Sequence, residues 1–151
     1  MNTIPFILIT GFLGCGKTTL LKRIIDSYAG DKRLAVIQND FADANIDAEE
    51  LRATGKPFEM LELNKGSVFC VCLLSDFITS LAALVENCSP DAIVLEATGL
   101  ADPIAVAQLL QAPQLRDNVF LGHVWSIVDA GTFLKMEKGV GRMAQQVRVA
   151  D

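Results

Sequence analysis

Gly11-Phe12-Leu13-Gly14-Cys15-Gly16-Lys17-Thr18 fits the pattern G-x-x-x-x-G-K-[ST] at every fixed position. Each fixed residue has a physical duty toward a phosphate chain. Glycines let the backbone turn tightly enough to aim several N–H groups at one anion. The helix that follows adds the positive end of its dipole. Lys17 brings a mobile charge to the β- and γ-phosphates, and the Thr18 hydroxyl is a ligand for Mg²⁺. The predicted nucleotide-binding set is Gly11, Gly14, Cys15, Gly16, Lys17, Thr18 and Thr19. Cys15 lies inside the loop, its side chain incidental and not catalytic.

The flanks supply the context this loop requires. Ile4 to Thr10 is an uninterrupted apolar run of strand length, and Lys17 to Tyr28 places Leu20, Leu21, Ile24, Ile25 and Tyr28 on one helical face. Beyond them, short β-like runs alternate with helical periodicity. Strands are predicted at Leu34 to Gln38, Phe58 to Leu63, Ala92 to Glu96 and within Val119 to Val128. Helices are predicted at Ile46 to Arg52, Leu73 to Glu86, Pro103 to about Gln111 and from Gly141 onward. Alternation of this kind implies right-handed crossovers and an α/β fold, a mostly parallel sheet flanked by helices.

Composition agrees. The 151 residues fit one domain, and 51% of them are hydrophobic, with a mean hydropathy of +0.37. Strands buried on both faces produce such values. No apolar run approaches the ~18 residues that span a bilayer, and the N-terminus lacks a basic segment and cleavage site, so a cytoplasmic protein without a membrane anchor is expected. A net charge of −5 and the lack of a basic stripe argue against nucleic acid as a partner. The four cysteines, Cys15, Cys70, Cys72 and Cys88, are then expected as thiols, suited to metal or redox chemistry rather than to a disulfide framework.

In parallel sheets ligands gather outside the carboxyl ends of the strands. There the sequence places Asn39 and Asp40, Glu62, Glu96 and Asp129. Carboxylates in those places serve a Mg²⁺–triphosphate site or act as ordinary helix-capping acids. The most telling string is Ile93-Val94-Leu95-Glu96-Ala97-Thr98-Gly99, a buried strand ending in an acid with glycine three residues on. An acid there can hold the Mg²⁺ shell, and the Gly99 N–H can approach a γ-phosphate, which makes a switch that senses its loss.

Four strings together, GFLGCGKTTLL (11–21), VIQNDF (36–41), ELNKGSVFC (62–70) and EATGLADP (96–103), resemble the CobW-type GTPases. These stand beside the hydrogenase- and urease-maturation GTPases and are associated with metal trafficking. The last string, close to that family's E-T-[ST]-G-x-A-[DE]-P segment, is the most specific, and the likeness spans nearly the whole chain. It implies a P-loop GTPase fold and slow GTP hydrolysis coupled to handing zinc, cobalt or nickel to a recipient protein, with nucleotide-dependent homodimers common in the class. By the same resemblance, Glu96 is the switch II acid, Gly99 the γ-phosphate contact, and Asp40 belongs to switch I, where the family usually has glutamate. Lys17, Glu96 and Gly99 form the implied catalytic set, and Thr18, Asp40 and Glu96 the implied Mg²⁺ set.

The sequence departs from that pattern twice. The family's C-x-C-C metal motif is reduced here to Cys70, with Cys72 two residues on. If the segment is a turn, the pair can chelate a soft cation, its remaining ligands drawn from Asp40, Glu62, His123 or a second subunit. If it is a strand, the thiols face opposite ways. The alternative role for both is small apolar packing. His123, alone of its kind and set in an apolar strand, reads as a core histidine rather than a ligand. The second departure is the missing [NT]-K-x-D motif that recognises guanine. Residues 145–151 resemble the helix leading up to it, so residues 1–151 read as the N-terminal portion of the GTPase domain, truncated before the base-recognition strand and without a C-terminal domain. Two other readings remain open. One is a small-molecule kinase or ATPase using Arg142 and Arg148, and the other is a non-catalytic fragment acting as an interaction module.

Overall fold

The computed structural model describes residues 3–38, 55, 57–62, 71–99, 101–131, 133 and 141–151, without the side chains of 62, 71–73 and 141–143. Five strands and four helices are described. The strands are β1 (Ile4–Gly11), β2 (Leu34–Gln38), β3 (Glu59–Glu62), β4 (Ala92–Glu96) and β5 (Val119–Ile127). The helices are α1 (Lys17–Tyr28), α2 (Val71–Cys88), α3 (Pro103–Leu109) and α4 (Gly141–Arg148). The helix expected at Ile46 to Arg52 lies outside the described residues.

Every strand pairing is parallel, and the sheet order is β3-β2-β4-β1-β5. The apolar runs explain why the sheet is covered on both faces. Alternate residues of a strand point to opposite sides, and each strand carries two apolar sets. Phe6 and Leu8, Ala35 and Ile37, Ile93 and Leu95 meet Phe77, Leu81 and Val85 of α2 and Val106 and Leu109 of α3. Ile9, Val36 and Val94 face the other way, onto Leu21, Ile24 and Ile25 of α1. Each such large side chain, fully buried, is worth about 1.5–3 kcal/mol.

Local signals set the helix ends. Asp102 accepts a hydrogen bond from the Ile104 N–H at 2.9 Å, and Pro103 occupies the first helical position of α3. That bond satisfies one of the N–H groups a helix start leaves open. Asp102→Ala is expected to cost about 0.5–2 kcal/mol in urea unfolding; an unchanged midpoint would mean that α3 is held by packing alone.

β5 deviates from the simple alternation. Phe6 pairs with Leu121 and Ile7 with His123, so Gly122 is an extra residue, a bulge on β5. Val119 and Leu121 face the α2–α3 side. Uninterrupted alternation would send His123 there too, into the core. The bulge shifts the register by one, and a one-residue shift moves a side chain to the other face. His123 is accordingly 58% exposed, not a core histidine; its ring stacks near Trp125 and its Nδ1 lies 3.2 Å from an Asp151 carboxylate oxygen. The Asp151 N–H also donates to the Val124 carbonyl at 2.9 Å, and Val124 N–H donates to Asp151 Oδ2 at 2.8 Å. Residues beyond α4 therefore already lie along the outer edge of β5. The Val124 N–H, and after it the neighbouring His123, hold the Asp151 carboxyl below the ordinary carboxylate range, against the opposing effect of desolvation.

Candidate phosphate-binding site

The loop after β1 and the start of α1 form the centre of the site. Gly11, Gly14 and Gly16 all have positive φ, at 136°, 77° and 99°. Only Gly11 is also tightly packed: a Cβ there would lie 2.3 Å from the Ile127 carbonyl oxygen and 2.7 Å from Cys15 Sγ. The Cys15 thiol is thus turned toward Gly11. Gly16 is the N-cap of α1 in a left-handed conformation, and no side chain caps the helix. A helix start left this way points its first N–H groups and its positive dipole end outward, which is an anion-binding arrangement.

Lys17 opens α1 yet is only 8% exposed, because its Nζ folds back and donates to the Phe12 carbonyl at 3.1 Å. The ammonium therefore lies across the loop. Thr18, one residue on, donates its hydroxyl to Glu96 Oε1 at 2.8 Å. These residues are 78 apart in sequence; strand order brings them together. β1 and β4 are neighbours, Ile9 is level with Glu96, and Ala97 N–H donates to the Ile9 carbonyl at 3.0 Å. The chain leaves β1 toward β2 on one side and leaves β4 toward β5 on the other, so the gap between β1 and β4 is the topological switch point where such sheets bind ligands.

Gly99 closes the site on a third side. A Cβ on it would lie 3.0 Å from the Leu13 backbone nitrogen and 3.4 Å from the Phe12 carbonyl carbon, so the strand-end segment rests directly on the phosphate loop. The Ala101 N–H donates to the Thr98 carbonyl at 3.0 Å. From the far side, Gln146 of α4 donates its amide to the carbonyls of Ala101 at 2.8 Å and Gly99 at 3.3 Å. Sequence reading did not single out Gln146, since an isolated glutamine near the end of an amphipathic helix carries no local signal.

The other strand-end acids diverge. Asp129 accepts a hydrogen bond from the Gly131 N–H at 2.9 Å, a turn contact. Asp40 and Cys70 lie outside the described residues. Val71 and Cys72 are neither turn nor strand: they open α2. Nor can His123 and Glu62 share a metal, because β5 and β3 are opposite edges of the sheet, four strand spacings or roughly 19 Å apart. Among the described residues no group of three or more His, Cys, Asp or Glu is placed to hold a metal ion. No helix among them is long and apolar enough to cross a membrane.

Comparison with known proteins gives this geometry a family. The sequence model of the CobW/HypB/UreG nucleotide-binding domain matches residues 5–151. A zinc chaperone CobW from Sinorhizobium sp is 34% identical over 132 residues, covering 84% of this chain and 37% of that protein. A zinc-regulated GTPase metalloprotein activator 1 from Dictyostelium discoideum is 30% identical over 149 residues, covering 87% of this chain and 31% of that one. The chain thus spans about a third of the length of these relatives. Among solved structures, the hydrogenase maturation factor HypB from Archaeoglobus fulgidus superposes with a TM-score of 0.51 at 16% identity, over 97% of this chain and 76% of that one. That last likeness is one of fold.

Proposed function

Because the chain belongs to the CobW/HypB/UreG nucleotide-binding domain family, we propose that it binds GTP with Mg²⁺ on the Gly11–Thr18 loop, hydrolyses it slowly, and couples nucleotide state to delivery of a transition metal. The observation that carries this reading is the Thr18–Glu96 contact of 2.8 Å beside an uncapped helix start. A hydroxyl and a carboxylate, two hard oxygen donors side by side, fit a Mg²⁺ ion, which prefers such ligands. Thr18 and Glu96 would hold it, with Asp40 as the third candidate. When bound, the ion neutralises charge on the phosphate oxygens.

The chain's own groups do the remaining work. The N–H groups at the start of α1 receive the phosphate oxygens. Lys17 exchanges the Phe12 carbonyl for a β- or γ-phosphate oxygen. Gly99, already against Leu13, presents its N–H to the γ-phosphate and can follow its loss. Among the described residues no arginine finger or water-positioning glutamine is identifiable, and intrinsic turnover should be slow. Guanine as the base rests on the relatives, one of which is named a GTPase. Zinc leads cobalt and nickel as cargo because another is named a zinc chaperone. Cys70 and Cys72 are the candidate thiolate ligands, the cytoplasm is the proposed location, and a recipient protein and a nucleotide-dependent homodimer are the proposed partners.

Calorimetric titration with non-hydrolysable GTP and ATP analogues, each with Mg²⁺ and each repeated after zinc loading, tests the whole reading. The GTP analogue should bind at least about tenfold more tightly, and zinc should change that affinity, since linkage between two ligands is reciprocal. Equal binding of both analogues would remove the guanine assignment. Binding of neither would remove the phosphate site.

A further inference from the structure

Among the described residues the buried polar side chains are Thr10, Lys17, Gln38, Glu96 and Gln146. Lys17 and Glu96 already have duties toward phosphate and metal. Gln146 is 2% exposed and sits on a different element, 45 residues beyond the segment it touches. It is also the only buried side chain of α4 between 144 and 148. A helix that merely had to pack would place an apolar residue there, because burying an amide is unfavourable unless its hydrogen bonds are made. Here both amide hydrogens are spent on one short segment: the carbonyls of Gly99 and Ala101.

That segment is held between two bodies. On one side Gly99 abuts the backbone of Phe12 and Leu13, so closely that a methyl group would crowd it. On the other side is the Gln146 amide. The Ala101 N–H bond to the Thr98 carbonyl ties the two ends of this stretch together. Any displacement of Gly99 from its place against the loop must therefore strain the two amide contacts or draw α4 with it. α4 in turn leads into Asp151, which lies along β5 at Val124.

From this juxtaposition we infer that Gln146 is a positioning residue, which tethers Gly99 and Ala101 to α4 and thereby sets how strongly the site distinguishes a triphosphate from a diphosphate. The inference rests on the proposed phosphate site and deepens it. Gln146 touches no phosphate itself; it acts through the Gly99 and Ala101 carbonyls. A diphosphate occupies the loop without needing Gly99, whereas a γ-phosphate calls on its N–H. Loss of the tether should consequently alter triphosphate binding alone.

The test compares a non-hydrolysable GTP analogue with GDP, both with Mg²⁺, on wild type, Gln146→Leu and Gln146→Glu. Leucine keeps most of the volume and removes both donors. The ratio of the two affinities should fall about fivefold in Gln146→Leu, with GDP affinity within about twofold of wild type, as expected for losing buried neutral hydrogen bonds to one ligand-sensing segment. Gln146→Glu keeps the length but faces two carbonyls with a carboxylate at alkaline pH. Once protonated, which burial favours, it regains one donor. Its ratio should therefore recover toward the wild-type value at mildly acidic pH while the wild-type ratio stays flat. This pH-dependent rescue also decides the matter if Gln146→Leu does not fold. Equal weakening of both nucleotides, or a ratio preserved in both variants, would overturn the inference and leave the phosphate site standing. Failure of the wild type to bind either nucleotide would overturn the site, and the inference with it.

Discussion

Lys17→Ala should lose about ten- to a hundredfold in affinity for a GTP analogue with Mg²⁺ while the fold persists. A hydrogen bond from a charged donor contributes about 1.5–3 kcal/mol, and at 1.4 kcal/mol per tenfold this gives the stated range for one phosphate contact. Two contacts would take it further. The cost to stability is small by comparison. The ligand-free protein loses one hydrogen bond, from Nζ to the Phe12 carbonyl, and alanine is the best helix former at the position where α1 begins. Arginine is not a neutral control, since its planar fork cannot act as a compact mobile charge in a loop that buries Lys17 to 8% exposure. Titration with a fluorescent triphosphate, beside thermal unfolding of the same preparations, separates the two effects. Undiminished binding by Lys17→Ala would rule out the loop as the triphosphate site.

Gly11→Ala is the converse case, a large loss of stability from the addition of one methyl group. At φ 136° an L-residue is strained whatever surrounds it, and the new Cβ would lie 2.3 Å from a main-chain oxygen of Ile127. A flexible side chain could move aside, but that carbonyl belongs to β5, level with Gly11 in the sheet register. Either β1 or β5 must shift near the exit of the phosphate loop. Backbone strain of about 1–3 kcal/mol and overpacking of about 1–3 kcal/mol add to roughly 2–6 kcal/mol. That is a large part of the 5–15 kcal/mol a domain typically has. The urea midpoint should fall accordingly, with an unchanged slope. If the midpoint stays within error of wild type, the close packing of Gly11 against Ile127 does not exist in solution. The pair of variants thus divides the loop into a residue that binds and a residue that lets the loop form.

What the sequence determined by itself was everything carried by neighbours along the chain. The loop from Gly11 to Thr18 is contiguous, so its residue types alone match the pattern of a phosphate cradle. The bounds of α1, β2 and β4 follow from apolar periodicity and matched the structure to the residue. Apolar residues on both faces of the strands required a parallel sheet covered on two sides. The resemblance added roles for Glu96 and Gly99, and the family match supports the class to which they were assigned.

Tertiary structure decided what depends on sheet order and register. That β1 lies between β4 and β5 cannot be read from the strands themselves, yet it sets the Thr18 hydroxyl 2.8 Å from Glu96. The same order puts His123 and Glu62 on opposite edges and removes them as partners. One glycine bulge moved His123 out of the core, because a period-2 pattern loses its meaning after a one-residue shift. Gln146 was invisible for a related reason. Its importance lies in two carbonyls of a distant segment, and backbone carbonyls are the same at every position of a sequence until the fold chooses which of them to present.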